Sequence, residues 1–386
     1  MKKSLVTLAV ASALASGAAQ AVQVYDKDGT SLAIGGRIQG SYHSKDAVFS
    51  SRQPSSGDAS LNASGRLNIT GRTRLAEGVD GISFAEWNVA DAEQYSAFNT
   101  RFLWVGLDFG SYGRITGGKG HDAFYYVQQP ADVWDDYGTL GYMGYNDRRS
   151  GNFVYSWSGY GVDVNVSYST AKQNQTVKGA FLGMGQSLDI EQGVAVALGY
   201  TTPDVVFGPI SVRLGYGMMQ LSDHTDDTGA YYNVASDTVL GTDTVYFDEL
   251  DQYAISLTWG KRSRGLYINA IYEVRTFSLE NVTSGGDAED LEVTGAALSI
   301  GYKLENGMGA MIGLEWQSVE YGDYDVSAMV LPIYLTYDVT PNFFVWLEGS
   351  FDIGTDDDPG TWNSYYNVTK TRYNHSAFTL GARFKF

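Results

Sequence analysis

The sequence predicts an all-β fold, a transmembrane antiparallel up-and-down β-barrel of about sixteen strands. Three observations predict it. Side-chain character alternates with a period of two along most of the chain after residue 21, aromatic residues are frequent (28 Tyr, 17 Phe and 8 Trp), and the chain ends in an alternating strand whose last residue is Phe386.

Residues 1–21 differ in kind from the rest. Lys2 and Lys3 form a positive start, Leu5 to Ala18 is uncharged and rich in Ala, Leu and Val, and Ala19-Gln20-Ala21 is a small-x-small cleavage site. The stretch is shorter than the roughly twenty residues that a helix needs to span lipid, so it reads as a cleaved signal peptide with Val22 as the first mature residue.

Without that leader the chain keeps 365 of its 386 residues. Losing two lysines from 26 basic residues leaves 24 against 44 acidic ones, a net charge of about −20. Nucleic acid, which needs a basic face, is excluded as a partner. With 7 Pro and no Pro- or Ser-rich linker, residues 22–386 read as one large closed unit. The chain has no cysteine, so neither a disulfide framework nor a thiolate metal site is possible.

No window after residue 21 is apolar enough for a transmembrane helix. In 162–169, Val162, Val164, Val166 and Tyr168 alternate with Asp163, Asn165, Ser167 and Ser169. Val212, Leu214, Tyr216 and Met218 alternate with Ser211, Arg213, Gly215 and Gly217, and Tyr253, Ile255, Leu257 and Trp259 with Ala254, Ser256 and Thr258. A soluble β-sandwich also alternates. Rings at strand ends, such as Tyr42, Trp87, Trp157, Tyr168, Trp259 and Tyr337, supply the two interfacial girdles that a membrane barrel needs. Acidic, Gly-rich stretches (Asp223 to Gly241, Gly285 to Asp290, Thr355 to Gly360) read as outer loops, and Leu304 to Gly307 and Thr340 to Asn342 as tight turns. Strands are expected at 32–44, 60–76, 79–92, 99–109, 112–120, 148–157, 161–171, 187–201, 208–222, 245–260, 263–281, 288–304, 308–322, 325–339, 342–354 and 371–386. Lipid admits only helices or closed barrels, and closure at this strand number leaves a lumen too wide for side chains to fill.

The last strand is the most specific single signal. Phe378, Leu380, Ala382, Phe384 and Phe386 form one face against Thr379, Gly381, Arg383 and Lys385, which resembles the assembly signal of outer-membrane barrels.

Several motifs together resemble the general porins of Gram-negative bacteria, the trimeric sixteen-stranded outer-membrane group. They are Val24-Tyr25-Asp26-Lys27-Asp28-Gly29, Gly35-Gly36-Arg37, Gly65-Arg66-Leu67 with Gly71, Thr100-Arg101-Phe102 with Gly106-Leu107, and Tyr112-Gly113-Arg114. The segment ending Ala131-Asp132-Val133-Trp134-Asp135-Asp136-Tyr137-Gly138 looks like the family's third loop, which folds inward and narrows the pore. The resemblance implies a passive channel for ions and small hydrophilic solutes, a homotrimer in an outer membrane bearing lipopolysaccharide, and no cofactor.

By parity with Ile34, Ile38 and Tyr42, Arg37 points into the lumen, as does Arg66 beside Leu67 and Ile69. A charge facing lipid at mid-depth would cost about 2–4 kcal/mol. The resemblance makes Arg37, Arg66 and Arg101 the wall arginines of the constriction, with Arg149 or, nearly as well, Arg148 as the fourth, and sets Asp132 and Asp136 against them on the loop. Opposed charge arrays in a narrow, partly dehydrated passage impose a transverse field. The alternative for each is a solvated wall or loop residue. The net charge and eight acids in 223–251 suggest mild cation preference.

Phe102, Leu103, Trp104, Val105 and Leu107 are apolar on both faces of the fourth strand. The inner face is therefore expected to be covered by the folded-in loop, with Tyr125, Tyr126 and Val127 against it. Two rival readings exist. Trp134 is the best support for an oligosaccharide-selective porin, since sugars stack on rings. A barrel enzyme would need catalytic spacing around His43, His121, His224 or His375, and none has it. Asp226-Asp227 and Asp356-Asp357-Asp358 lack the spacing of a calcium loop and read as loop tips that could bridge lipopolysaccharide through divalent ions.

Overall fold

The computed structural model describes residues 21–44, 58–90, 98–138, 140–142, 148–181, 184–221, 232–233, 244–281, 286–287, 290–321, 324–354 and 376–386. Nearly all of the leader, His224, His375 and the acidic tips at 226–227 and 356–358 lie outside the described residues.

The strands in chain order are β1 (Val22–Lys27), β2 (Thr30–His43), β3 (Ser60–Ala76), β4 (Val79–Ala90), β5 (Asn99–Asp108), β6 (Arg114–Gly120) and β7 (Arg149–Gly159). There follow β8 (Val162–Ser169), β9 (Lys172–Phe181), β10 (Met184–Val205), β11 (Gly208–Leu221), β12 (Tyr232–Asn233), β13 (Thr244–Lys261) and β14 (Arg264–Asn281). The last are β15 (Gly286–Asp287), β16 (Leu291–Lys303), β17 (Met308–Tyr321), β18 (Tyr324–Thr340), β19 (Phe343–Asp352) and β20 (Ala377–Lys385).

Sixteen of these are staves of one ring. Setting β1, β9, β12 and β15 aside, each strand pairs antiparallel with the next, and β20 pairs with β2 to close the barrel. Closure leaves no edge, which lets such a sheet sit in hydrocarbon. Each stave matches one expected strand, with shifted ends. The fifth begins at Arg114 rather than 112, because Gly110 and Gly113 take positive φ and 110–112 form a 3₁₀ turn. The last is described from Ala377, and 371–375 lie outside the described residues.

Two longer segments were not among the expected strands. Asp28 (φ 53°) and Gly29 (φ 75°) make a two-residue turn that folds β1 back along Thr30–Ile34. Left-handed conformations at both central positions give the twist that hairpins favour. β1 thus continues the line of β20 along one edge of β2, and at the junction Gly36 and Phe386 exchange backbone hydrogen bonds of 2.8 and 3.1 Å. The other, β9, pairs with the start of β10 as an extension of the barrel wall.

Alternation places apolar side chains outward. On β10 the outward Val194, Val196, Leu198 and Tyr200 are 41–52% exposed, whereas Ala195 and Ala197 on the inner face are at most 4% exposed. A soluble sandwich would bury the large residues and expose the small. This arrangement is the inverse, a lipid-facing belt around a filled interior.

Candidate functional site: the lumen and its inserted loop

Between β6 and β7 the chain leaves the wall and folds into the barrel. One helical turn (Tyr125–Gln128) is started by Asp122, whose Oδ1 accepts the backbone N–H groups of Phe124 and Tyr125 at 3.0 and 3.3 Å, and a 3₁₀ turn (Gln129–Ala131) follows. Phe124 and Val127 are almost wholly buried against Ala195, Ala197 and Ala254. Gly199 lies under the Tyr126 ring and Gly215 against Val127, where a side chain would collide. Burial holds the Tyr126 hydroxyl protonated, and it donates to Asp163 at 2.6 Å.

This corrects the expectation for the fourth strand. The loop lies inside, but Tyr126 and Val127 pack on the opposite wall, β10 to β13, where inward-facing Ala and Gly leave room for them. The inner face of β5 is already filled by Phe102 and Trp104, and of the loop it meets His121, whose ring stands edge-on to Phe102 at 5.3 Å. Tyr125 stacks on His121 at 3.6 Å.

Three glutamates, each 0% exposed, fasten the loop to the wall. Glu273 on β14 accepts both hydrogen bonds of the Gln128 amide, at 2.8 and 2.9 Å. Glu315 on β17 accepts the backbone N–H groups of Leu140 (2.7 Å) and Gly141 (3.1 Å). Glu348 on β19 accepts those of Asp135 (2.8 Å), Asp136 (3.2 Å) and Tyr137. Buried loop backbone must be paired, and carboxylates on the wall do it here. Sequence reasoning passed over all three, although each sits on an inner-face parity in Tyr272-Glu273-Val274, Leu314-Glu315-Trp316 and Leu347-Glu348-Gly349. Gly138 adds a steric requirement, because its φ is 75° and a Cβ there would lie 2.1 Å from the Trp134 ring. From the wall, Arg262 in the turn between β13 and β14 donates to the carbonyls of Asp132 and Val133.

The loop leaves a charged cavity of about 1000 Å³ against the walls from β2 to β8 and from β14 to β20. Arg37, Arg66 and Arg101 all line it. Arg37 is directly opposite Arg66 on β3 and Lys385 on β20, a band of like charge that would be destabilising on a sheet without acids facing it. Arg101 donates to Glu86 at 2.6 Å. Of the two candidates for the fourth arginine, Arg148 lines the cavity over the Phe102 ring at 5.4 Å, whereas Arg149 is 2% exposed and paired with Asp122. The pairing of β6 with β7 shifts register between Gly118 and Gly120, opposite Arg149, and that bulge breaks the parity.

On the loop, Asp132 lines the cavity and accepts the hydroxyls of Tyr125 (2.7 Å) and Tyr142 (3.2 Å). Asp136 does not line it, and its carboxylate faces the Trp346 indole N–H at 3.4 Å. Asp135 takes the lumen position, because a 3₁₀ turn followed by bends does not keep residues four apart on one face. Burial would raise the Asp135 carboxyl, but Arg383 and the Tyr334 hydroxyl, both bonded to it, and the nearby Arg37 charge bring it down to about 2. Counted over the lining, ten cations (Arg37, Arg66, Arg101, Arg114, Lys119, Arg148, Arg262, Lys303, Arg383, Lys385) face five acids (Glu86, Asp122, Asp132, Asp135, Asp338) among the described residues.

Trp134 is 7% exposed, edge-on to Tyr334 and against Gly313, so it offers no open face to a sugar. His43 is buried between Ser41 (3.0 Å) and Thr379 (3.2 Å). Among the described residues no group of three or more His, Asp or Glu could hold a metal ion.

A closed sixteen-stave barrel with a lipid-facing belt and a loop-narrowed, charged interior defines a membrane channel scaffold. The family model described as Gram-negative porin matches residues 7–342, and the chain belongs to that family of outer-membrane proteins. Outer membrane protein S2 of Salmonella typhi is 25% identical over 235 residues, which cover 53% of this chain and 59% of that protein. The chain thus spans somewhat over half the length of that relative. Among solved structures, Salmonella typhi OmpF in complex with daunomycin superposes with a TM-score of 0.69 at 16% identity, covering 95% of this chain and all of that one. An anion-selective porin from Comamonas acidovorans gives 0.62 at 14% identity, covering 92% of this chain and all of that one.

Proposed function

We propose that this chain is exported by way of its leader, matures at Val22, and works as a homotrimeric passive diffusion channel for ions and small hydrophilic solutes, with passage rather than chemistry as its activity. The observation that carries this reading is a loop fastened inside the barrel that leaves a charged cavity of about 1000 Å³. In this reading the constriction is formed by Arg37, Arg66, Arg101 and Arg148 facing Asp132 and Asp135. Arg149 and Asp136 support it from behind, the first by holding Asp122 at the start of the helical turn.

The net charge of the chain favours cations at the mouths. Inside, the lining carries twice as many cations as acids, and charges in a narrow, low-dielectric passage act more strongly than solvated loop charges. The lining therefore sets the preference, toward anions.

Single-channel recording of the purified protein in a planar bilayer tests the channel. Ohmic steps that close in thirds are expected. A folded barrel that passes no current would overturn the reading and turn attention to an adhesive or plugged barrel.

A further inference from the structure

Lumen walls of barrels of this size are polar, yet one row of rings here faces the water. Trp104 lies 5.8 Å from Phe84, Phe84 5.8 Å from Phe102, and Phe102 5.3 Å from His121, which stacks on Tyr125 at 3.6 Å. All five line the cavity and none is fully buried. The row runs from the middle of β4 and β5 up onto the inserted loop. Loop packing does not account for Trp104 and Phe84, because the loop is seated on the far wall.

Both cations and acids border the row. Lys119 lines the same cavity within reach of the Arg148 charge, and among the described residues no carboxylate is within ion-pair distance of it. Arg148 covers part of the Phe102 face. The acids beside it are each engaged, Glu86 with Arg101, Asp122 with Arg149, and Asp132 with the hydroxyls of Tyr125 and Tyr142. Bare aromatic faces attract cations, but here Lys119 and Arg148 repel them. Ring faces beside ammonium and guanidinium groups match a planar ring that carries a negative group.

We propose that the row from Trp104 to Tyr125, flanked by Lys119 and Arg148, is a binding subsite for aromatic carboxylates on their way through the pore. The proposal deepens the channel reading and rests on it. A solute stacks on the Phe84 and Trp104 rings while its carboxylate meets Lys119, which raises its local concentration at the constriction.

The test uses benzoate, with acetate (charge without ring) and benzyl alcohol (ring without charge) as controls. It has two readouts, block of each protein's own open current and equilibrium dialysis of benzoate against the folded protein in detergent. Benzoate is expected to half-block at about tenfold lower concentration than either control. Phe84→Leu and Trp104→Leu, which keep apolar volume but remove ring faces, should raise that concentration about three- to tenfold, and Lys119→Gln should do the same. Equal block by benzoate and acetate, or Leu variants that bind benzoate like the parent, would overturn the subsite. Current without benzoate binding removes the subsite and leaves the channel. Binding that the variants weaken, in a protein that passes no current, removes the channel and leaves the subsite.

Discussion

Glu348→Gln removes one acceptor from the place where three loop N–H groups converge. In the parent one carboxylate oxygen accepts from Asp136 and Tyr137 and the other from Asp135 and Asp136. The amide is nearly isosteric, so the barrel wall is unchanged, but one oxygen becomes an NH₂ that faces a donor in a fully buried site. A buried donor left unpaired costs about 1–3 kcal/mol. At about 2 kcal/mol, the ratio of docked to undocked loop falls roughly thirtyfold. The chain has no cysteine, so a single reporter gives a clean signal. Ala131→Cys places a thiol at a site only 2% exposed, on the face of the loop that packs against Ile271 and Ala297 of the wall. Its modification rate by a methanethiosulfonate reagent reads how often the loop lifts, and it should rise by one to two orders of magnitude when Glu348→Gln is added. Equal rates in the two backgrounds would refute the claim that Glu348 fastens the loop.

Gly138→Ala forces a Cβ into the Trp134 ring at a positive φ, so the loop should undock with noisier, larger currents while the barrel still forms. Arg262→Ala removes the bonds to the Asp132 and Val133 carbonyls and should increase current flicker without changing heat resistance of the folded barrel. Asp135 gives a pH dependence. Its folded value of about 2 lies below the ordinary 3.8, so its interactions with Arg383, the Tyr334 hydroxyl and Arg37 together stabilise loop docking by about 2 kcal/mol above pH ~4, and this is lost as pH falls toward 2. Open-channel noise should therefore stay flat from pH 7 to 5 and rise below 4 in the parent, and Asp135→Asn should be noisy throughout.

The staves were legible in the sequence because their signal is local. A strand such as Val212 to Met218 declares its lipid face by alternation alone, and the closing strand by Phe378 to Phe386. The lumen positions of Arg37 and Arg66 follow from the same parity. The seat of the loop was not legible, because what receives it is spread over distant strands. Ala195, Gly199, Gly215 and Ala254 make the hollow, and Glu273, Glu315 and Glu348 make the fastenings, and no short window holds two of these strands' inner faces together. Arg148 and Arg149 could not be told apart because a bulge opposite them interrupts the alternation. Asp136 was set in the place of Asp135 because four-residue spacing assumes a helix, and here the helical turn has ended by Gln128.

The most direct test of the account is the reversal potential of the open channel under a potassium chloride gradient. The lining, with ten cations against five acids, predicts a shift toward the chloride equilibrium potential. A shift toward that of potassium would show that the acidic loops, and not the lumen wall, govern passage.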